Sequence, residues 1–322
     1  MTLVDLSTPP AGPAPTSGLL DALPRRVALT LPELRCAADH AGGAPLPFDA
    51  VEPDAPADGP AGGLESRLGR SRGSAEAEAR RTVMDALHPP ATSLARRGLL
   101  VDGALEEGLA GAIGLLAVPD LALDLDVAVG TGGDGVRARA WHRMAGGAVA
   151  TLATVDGVVF ELAWFAADHW PAELARVAVL PEDHRATGSG VPAHVDLPYE
   201  LADAAAEAVR SSRPDLLAVL AAQEGATVRG GDGTTYDATE VLDVLAGLSG
   251  EVQGRLRALV ADTSGEQTTV VGVLSWVLLG DGWHALRTYR DRVGDEARVE
   301  VRRVEPADLG PLLAPVLAEV TR

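Results

Sequence analysis

Leu121-Ala-Leu-Asp-Leu-Asp-Val-Ala-Val129, followed by Gly130-Thr-Gly-Gly-Asp-Gly135 and then Val136-Arg-Ala-Arg-Ala-Trp-His-Arg-Met144, is the stretch that decides the fold. Both flanks alternate with the period of a strand. Leu123, Leu125, Val127 and Val129 share one face of the first flank, and Asp124 and Asp126 share the other. In the second flank Arg137, Arg139 and Arg143 oppose Ala138, Ala140 and His142. Two alternating runs around a glycine-rich turn predict an antiparallel hairpin. Paired in register, its Asp and Arg rows fall on one face as cross-strand ion pairs.

Working outward, Val149–Thr154 and Val158–Trp164 read as a second hairpin around Asp156-Gly157, with a helix from Asp168 to Val179. Upstream, Val27–Thr30 is a short strand. Thr30-Leu-Pro-Glu33 has the form of a capping box with Pro in the first turn, opening a helix to about Ala41. Residues 76–97 read as helical but interrupted by Pro89-Pro90, and 104–117 as a further helix stopped by Pro119. The order then repeats. His194–Leu197 is a strand, with helices near 199–211, 214–223 and 238–248. Ser212-Arg-Pro-Asp215 and Asp237-Ala-Thr-Glu240 are expected to cap the last two. Strands follow at Arg255–Ala261, Thr268–Leu279, Trp283–Arg290 and Ala297–Val304, and a last helix starts near Asp308. Trp141 and Trp276 take corresponding places in the second strand of each half, and Asp168 and Asp308 open corresponding helices. The expectation is an α+β chain with antiparallel sheets and an internal duplication. Its parts are a disordered tail at 1–24, an α+β half at 25–181, a linker at 182–191 and a second α+β half at 192–322. The Pro-, Gly- and Ala-rich residues 53–74 are read as a disordered insertion in the first half.

Composition narrows the function. A chain of 322 residues with 47% hydrophobic content can bury a substantial core. Its net charge of −19 repels phosphate backbones and anionic lipid heads, so nucleic acid and membrane insertion are poor expectations. Every basic residue is Arg, so no lysine chemistry is available. The single cysteine, Cys36, rules out a disulfide within the chain and suits a reducing compartment. Residues 1–10 have neither a basic head nor an apolar run of signal length, and the expected location is the cytoplasm.

Motifs for chemistry are sparse. Gly130–Gly135 spells G-x-G-x-x-G, but the dinucleotide reading needs a helix after it and a strand follows instead. Gly230-Gly-Asp-Gly233 lacks the Lys-Ser/Thr of a phosphate loop. Among the 7 histidines no pair has helical ligand spacing, and no G-x-S-x-G elbow occurs. The expectation is therefore no catalytic residue, no metal and no cofactor, the alternative being a nucleotide or small-molecule enzyme with a cleft between the halves. What remains is Arg and aromatic residues on strand faces. Trp141 is in phase with Arg137 and Arg139, and Trp283 with Arg287 and Tyr289. With Trp276 these are the candidate partner-binding residues, because Arg and Trp are enriched where proteins meet. The competing reading is that a helix covers the face and makes it core.

The arrangement resembles the EspG family, the secretion-associated proteins of type VII (ESX) systems in actinobacteria. The resemblance spans about residues 25–320. It is carried by Val27-Ala-Leu-Thr-Leu-Pro-Glu-Leu34, by Arg80-Arg81 through Leu94-Ala-Arg-Arg-Gly-Leu-Leu100 and Pro119–Leu125, by Val136-Arg-Ala-Arg-Ala140, and by Val273-Leu-Ser-Trp276 with Trp283-His-Ala-Leu-Arg287. The chain departs from the family pattern in its insertion near 53–74 and its Pro-rich start. The resemblance implies a central antiparallel sheet flanked by two helical bundles with quasi-twofold symmetry. It also implies a cytoplasmic chaperone that binds a helical secreted client, PE–PPE-like or WXG-type, keeps it soluble and delivers it for secretion. No cofactor and no catalysis are implied.

Overall fold

A computed structural model describes residues 24–49, 89–130, 135–180, 184, 186–265, 267–291 and 295–320. The elements in chain order are β1 (Arg25–Thr30), α1 (Leu31–His40), α2 (Pro90–Arg96), β2 (Leu100–Val101), β3 (Ala104–Leu105), α3 (Glu107–Ala117), β4 (Leu121–Val129), β5 (Val136–Ala145), β6 (Ala148–Thr154), β7 (Val159–Ala166) and α4 (Trp170–Ala178). Then come β8 (His194–Pro198), α5 (Tyr199–Arg210), α6 (Leu216–Glu224), β9 (Arg229–Gly230), α7 (Ala238–Gly250), β10 (Gly254–Asp262), β11 (Thr269–Leu279), β12 (Gly282–Arg290), β13 (Ala297–Arg303) and α8 (Leu309–Val320).

Apart from the small β2–β3 hairpin, the strands form one 11-stranded sheet in the order β1-β7-β6-β5-β4-β10-β11-β12-β13-β8-β9. Every pairing described is antiparallel, and β4 and β10 join in the middle. Strand parity then sorts the side chains. On one face Leu123, Leu125 and Val127 meet Leu256, Ala258, Trp276 and Trp283 beneath α4 and α8. The opposite face is covered at its two ends. Near β1, α1, α2 and α3 pack Leu34, Leu94 and Ile113 onto Leu152, Phe160 and Leu162. Near β8, α5, α6 and α7 pack Leu201, Leu217 and Val241 onto Val277, Val299 and Val301. Each large apolar side chain so buried contributes roughly 1.5–3 kcal/mol. Between these helical groups the middle of the face is open, and Arg137, Arg139, Arg255, Arg257 and Val273 are exposed there.

The hairpin read first from the sequence is present. Asp126 faces Arg139 across β4 and β5, and the ion pairs form as expected: Arg137 Nη2–Asp126 Oδ2 at 2.8 Å and Arg143 Nη1–Asp124 Oδ1 at 2.6 Å. Both expected capping boxes at Thr30 and Asp237 form.

Three expectations are corrected. The run 104–117 is not all helix: Asp102 and Gly103, at φ 50° and 80°, make the tight turn of the β2–β3 hairpin, and α3 starts only after Glu106 accepts from Leu109 N–H. Asp215 does not cap α6, because a two-point ion pair with Arg213, at 2.9 and 2.8 Å, takes its carboxylate. Trp141 on β5 and Trp276 on β11 do not take the same place, because they project from opposite faces, Trp141 toward α1–α3 and Trp276 toward α4 and α8. Asp168 and Asp308 each lie in a 3-10 turn that leads into a helix, α4 and α8. Pro89 and Pro90 open α2. Residues 1–23 of the expected tail, the insertion at 53–74, the helical run up to residue 88 and the centre of the Gly130–Gly135 loop lie outside the described residues. Among the described residues, no helix is long and apolar enough to cross a membrane.

Candidate functional site

At the β1 side of the open strip the face sinks into a cavity of about 550 Å³. Its floor is aromatic. Phe48, in the loop after α1, lies with its ring centroid 5.7 Å from that of Trp141 and 5.2 Å from that of Phe160. Leu31, Pro32 and Arg35 of α1 form one wall, and the turn Thr154–Val158 forms the other. Arg137 and Arg139 close the rim toward the open strip.

Local sequence places each wall. At the start of α1, Thr30 Oγ1 accepts from Glu33 N–H at 3.4 Å while Glu33 Oε2 accepts from Thr30 N–H at 2.8 Å. Glu33 Oε1 also accepts from Ser93 Oγ at 2.7 Å and Arg97 Nη1 at 3.2 Å, which ties α2 to α1 behind the cavity. In the opposite wall Asp156 Oδ1 accepts from the N–H groups of Val158 and Val159 at 2.8 and 2.9 Å. The Val159 and Val158 N–H groups hold this carboxyl below the usual carboxylate range, and the carboxylate is committed to its own turn.

The rim carries unbalanced cations. Asp126 pairs with Arg137 at 2.8 Å and with Arg139 at 3.7 Å, so one carboxylate serves two guanidiniums. Arg35 is exposed and has no carboxylate partner among the described residues. The same holds of Arg255 and Arg257, which continue the row across β10; Arg257 stands directly opposite Asp126.

The candidates read from the sequence divide between the two faces. Arg137, Arg139 and Trp141 come together at this cavity. Trp276 and Trp283 are 1% and 2% exposed, their centroids 6.2 Å apart in the core under α4 and α8, where Trp283 Nε1 donates to Ala178 O at 2.8 Å. For these two the covering-helix reading describes what is seen. Arg287 and Tyr289 share that face but lie further along β12. There Arg287 pairs with Glu300 at 3.0 Å and Tyr289 donates to Asp196 at 2.9 Å. Sequence reasoning missed Arg35, Phe48 and Phe160. Phe48 and Phe160 belong to segments far apart in the chain, and only the exposed polar face of α1 hinted at Arg35.

Among the described residues, the cavity lining holds no His, Cys or Lys. Of its hydroxyls, Thr154 Oγ1 donates to Val159 O at 2.7 Å and reaches Asp156 Oδ1 only at 3.4 Å, and Thr30 Oγ1 meets Glu33 Oε2 at 3.1 Å, so both serve a local turn or cap. Among the described residues no cluster of His, Cys, Asp and Glu could hold a metal ion. An apolar floor under guanidiniums offers burial and charge, which are the means of binding.

One solved structure aligns with nearly the whole molecule. It is that of the Mycobacterium tuberculosis type VII secretion system chaperone EspG5 in complex with a PE25–PPE41 dimer. The match has a TM-score of 0.58 and covers 92% of this chain and 95% of that one. The chain shares the fold of EspG5. Identity to EspG5 is only 14%, so the likeness lies in the architecture. Cores keep a fold through extensive apolar exchange when volume and patterning persist. No family model and no curated protein matches the sequence.

Proposed function

We propose that the protein is a chaperone of type VII secretion, working in the cytoplasm without catalysis. It binds a helical secreted client of the PE–PPE kind, keeps it soluble and delivers it to the secretion machinery. The observation that carries this reading is the fold shared with EspG5 over 92% of the chain, EspG5 having been solved with such a dimer. The client contact is assigned to the open strip of the sheet with Arg137, Arg139 and Trp141. Trp276 and Trp283 support that strip from the other side, and Arg287 and Tyr289 form a separate, outlying surface.

We also read the chain as a duplication, with halves 25–181 and 192–322 about the linker 182–191. In support, the strand order outward from the β4–β10 pair is β5, β6, β7, β1 on one side and β11, β12, β13, β8 on the other. A client bound across the middle would touch both halves and both helical groups.

Co-expression with PE–PPE-type heterodimers, and with WXG-type proteins as a second client class, tests the function. The expected result is one soluble complex by size-exclusion chromatography, with the client insoluble when expressed alone. Failure of every such client to co-elute overturns the proposal.

A further inference from the structure

We infer that the aromatic cavity is an anchor site for one kind of polypeptide segment: a large apolar side chain flanked, within a helical turn, by carboxylates. The inference rests on the chaperone reading and adds the chemistry of the segment that the cavity takes.

Charge is the first argument. Counting the described residues of the cavity and the adjoining strip, and setting aside the closed Asp124–Arg143 pair, five guanidiniums (Arg35, Arg137, Arg139, Arg255 and Arg257) face only Asp126 and Asp156. Asp156 already serves its own turn, and Asp126 is shared by two arginines. This surplus of positive charge sits on a chain whose total is −19. A cationic patch on an acidic protein selects an acidic partner and steers it in.

Shape is the second. The cavity of about 550 Å³ is floored by Trp141, Phe48 and Phe160, enough for a Leu, Met or Phe side chain with its neighbours. It opens directly onto the exposed middle of the sheet, where Val273 is 50% exposed beside Leu259. The cavity is thus one end of a longer surface, which suits a chain segment crossing the strip. A buried apolar anchor inside a ring of charge is also the common anatomy of an interface hot spot. Nucleic acid would meet the cations too, but it has no apolar side chain to fill the floor, and the rest of the molecule repels it.

The test uses the full chain and fluorescence anisotropy with a labelled amphipathic helical peptide carrying Leu and Phe one turn apart between Glu residues. A second peptide has Gln in place of every Glu, and a single-stranded oligonucleotide is a third probe. Two variants are compared with the wild type: Arg35→Gln/Arg137→Gln/Arg139→Gln, and Val155→Glu. Val155 is 63% exposed on the cavity wall, so a carboxylate there neutralises the rim without disturbing the core. The Glu peptide is expected to bind more tightly than the Gln peptide, to weaken with salt, and to lose about tenfold on either variant. Equal binding of the two peptides, no binding of the Glu peptide, unchanged affinity in both variants, or tighter binding of the oligonucleotide each overturns the inference. The two proposals fail separately. If wild type and variants retain a PE–PPE-type client equally, the anchor site falls and the chaperone reading stands. If the wild type retains no client, the chaperone reading falls, and the peptide comparison still judges the cavity.

Discussion

His142 should make the protein acid-sensitive, by an amount the structure allows one to work out. The residue lies on β5 beneath α4 and is 1% exposed. Its Nδ1 accepts the indole N–H of Trp170 at 3.0 Å, so the neutral ring carries its proton on Nε2, which is buried without a partner. Protonating Nδ1 would break that bond and set two donors face to face. Burial, and then the neighbouring Arg143 and Arg176, push this imidazole from 6.5 down to about 3, against the opposing pull of Glu173. The unfolded chain therefore takes up a proton at a pH where the folded one does not. Stability is complete above about pH 6.5 and falls as pH drops toward 3. At roughly 1.4 kcal/mol per pH unit, this one residue removes about 2 kcal/mol between pH 6.5 and 5. The whole window is worth on the order of 5 kcal/mol.

The perturbation is His142→Gln, whose amide oxygen can still accept from Trp170 and which does not titrate. Carboxylates contribute their own pH dependence to both proteins, so the informative quantity is the difference between them. Urea unfolding at pH 7 and pH 5 should show the wild type losing about 2 kcal/mol more than the variant, at an unchanged m-value. The variant starts less stable at pH 7 through altered packing, which does not enter the comparison. Equal losses in the two proteins would refute the reasoning, since they would mean that His142 ionises alike folded and unfolded.

Other expectations follow from single contacts. Thr30→Ala removes one half of the capping box at the head of α1 and should cost about 1 kcal/mol in urea unfolding; a change within error would mean that tertiary contacts alone hold that helix end. Gly310 of α8 leaves its missing Cβ 3.0 Å from Pro171 Cβ, so Gly310→Val should part α8 from α4 and cost roughly 1–3 kcal/mol, read as a lowered Tm. Arg298 is 1% exposed and binds Asp196 Oδ2 at 2.9 Å and Thr227 O at 2.8 Å. Arg298→Met should strand both and cost roughly 3–5 kcal/mol, whereas a neutral result would show the network to be dispensable. Added nucleotides should leave Tm unchanged. A rise matching the roughly 2.7 kcal/mol expected at a hundred times Kd, lost on Gly135→Ala, would reinstate a nucleotide site.

The limits of sequence reading here are set by what parity can and cannot carry. Parity found the β4–β5 hairpin, its ion pairs and the grouping of Arg137, Arg139 and Trp141, because a slip of one residue would turn the apolar set outward. It also placed Trp283, Arg287 and Tyr289 on one face of β12, correctly, yet that face is core at Trp283 and surface at Arg287. The reason is geometric. A helix of 12 residues such as α8 is about 18 Å long and lies across several strands, whereas the 9 residues of β12 extend about 30 Å. A strand can therefore pass under a helix and emerge without any change in its pattern. The Asp102-Gly103 turn has the residues of a tight hairpin turn, but it stands inside an apolar run that also fits a helix. The cavity floor was out of reach: Phe48, Trp141 and Phe160 come from three separate segments, and no local period joins them. Charge behaves differently, because each strand reveals its own count. Three arginines on one side of β5 meet two aspartates on the facing side of β4, and the next strand brings only arginines, Arg255 and Arg257. An excess that neighbouring strands cannot neutralise has to be met by solvent or by a partner. That makes the unmatched row, more than the tryptophans, the part of the surface that sequence alone could have singled out.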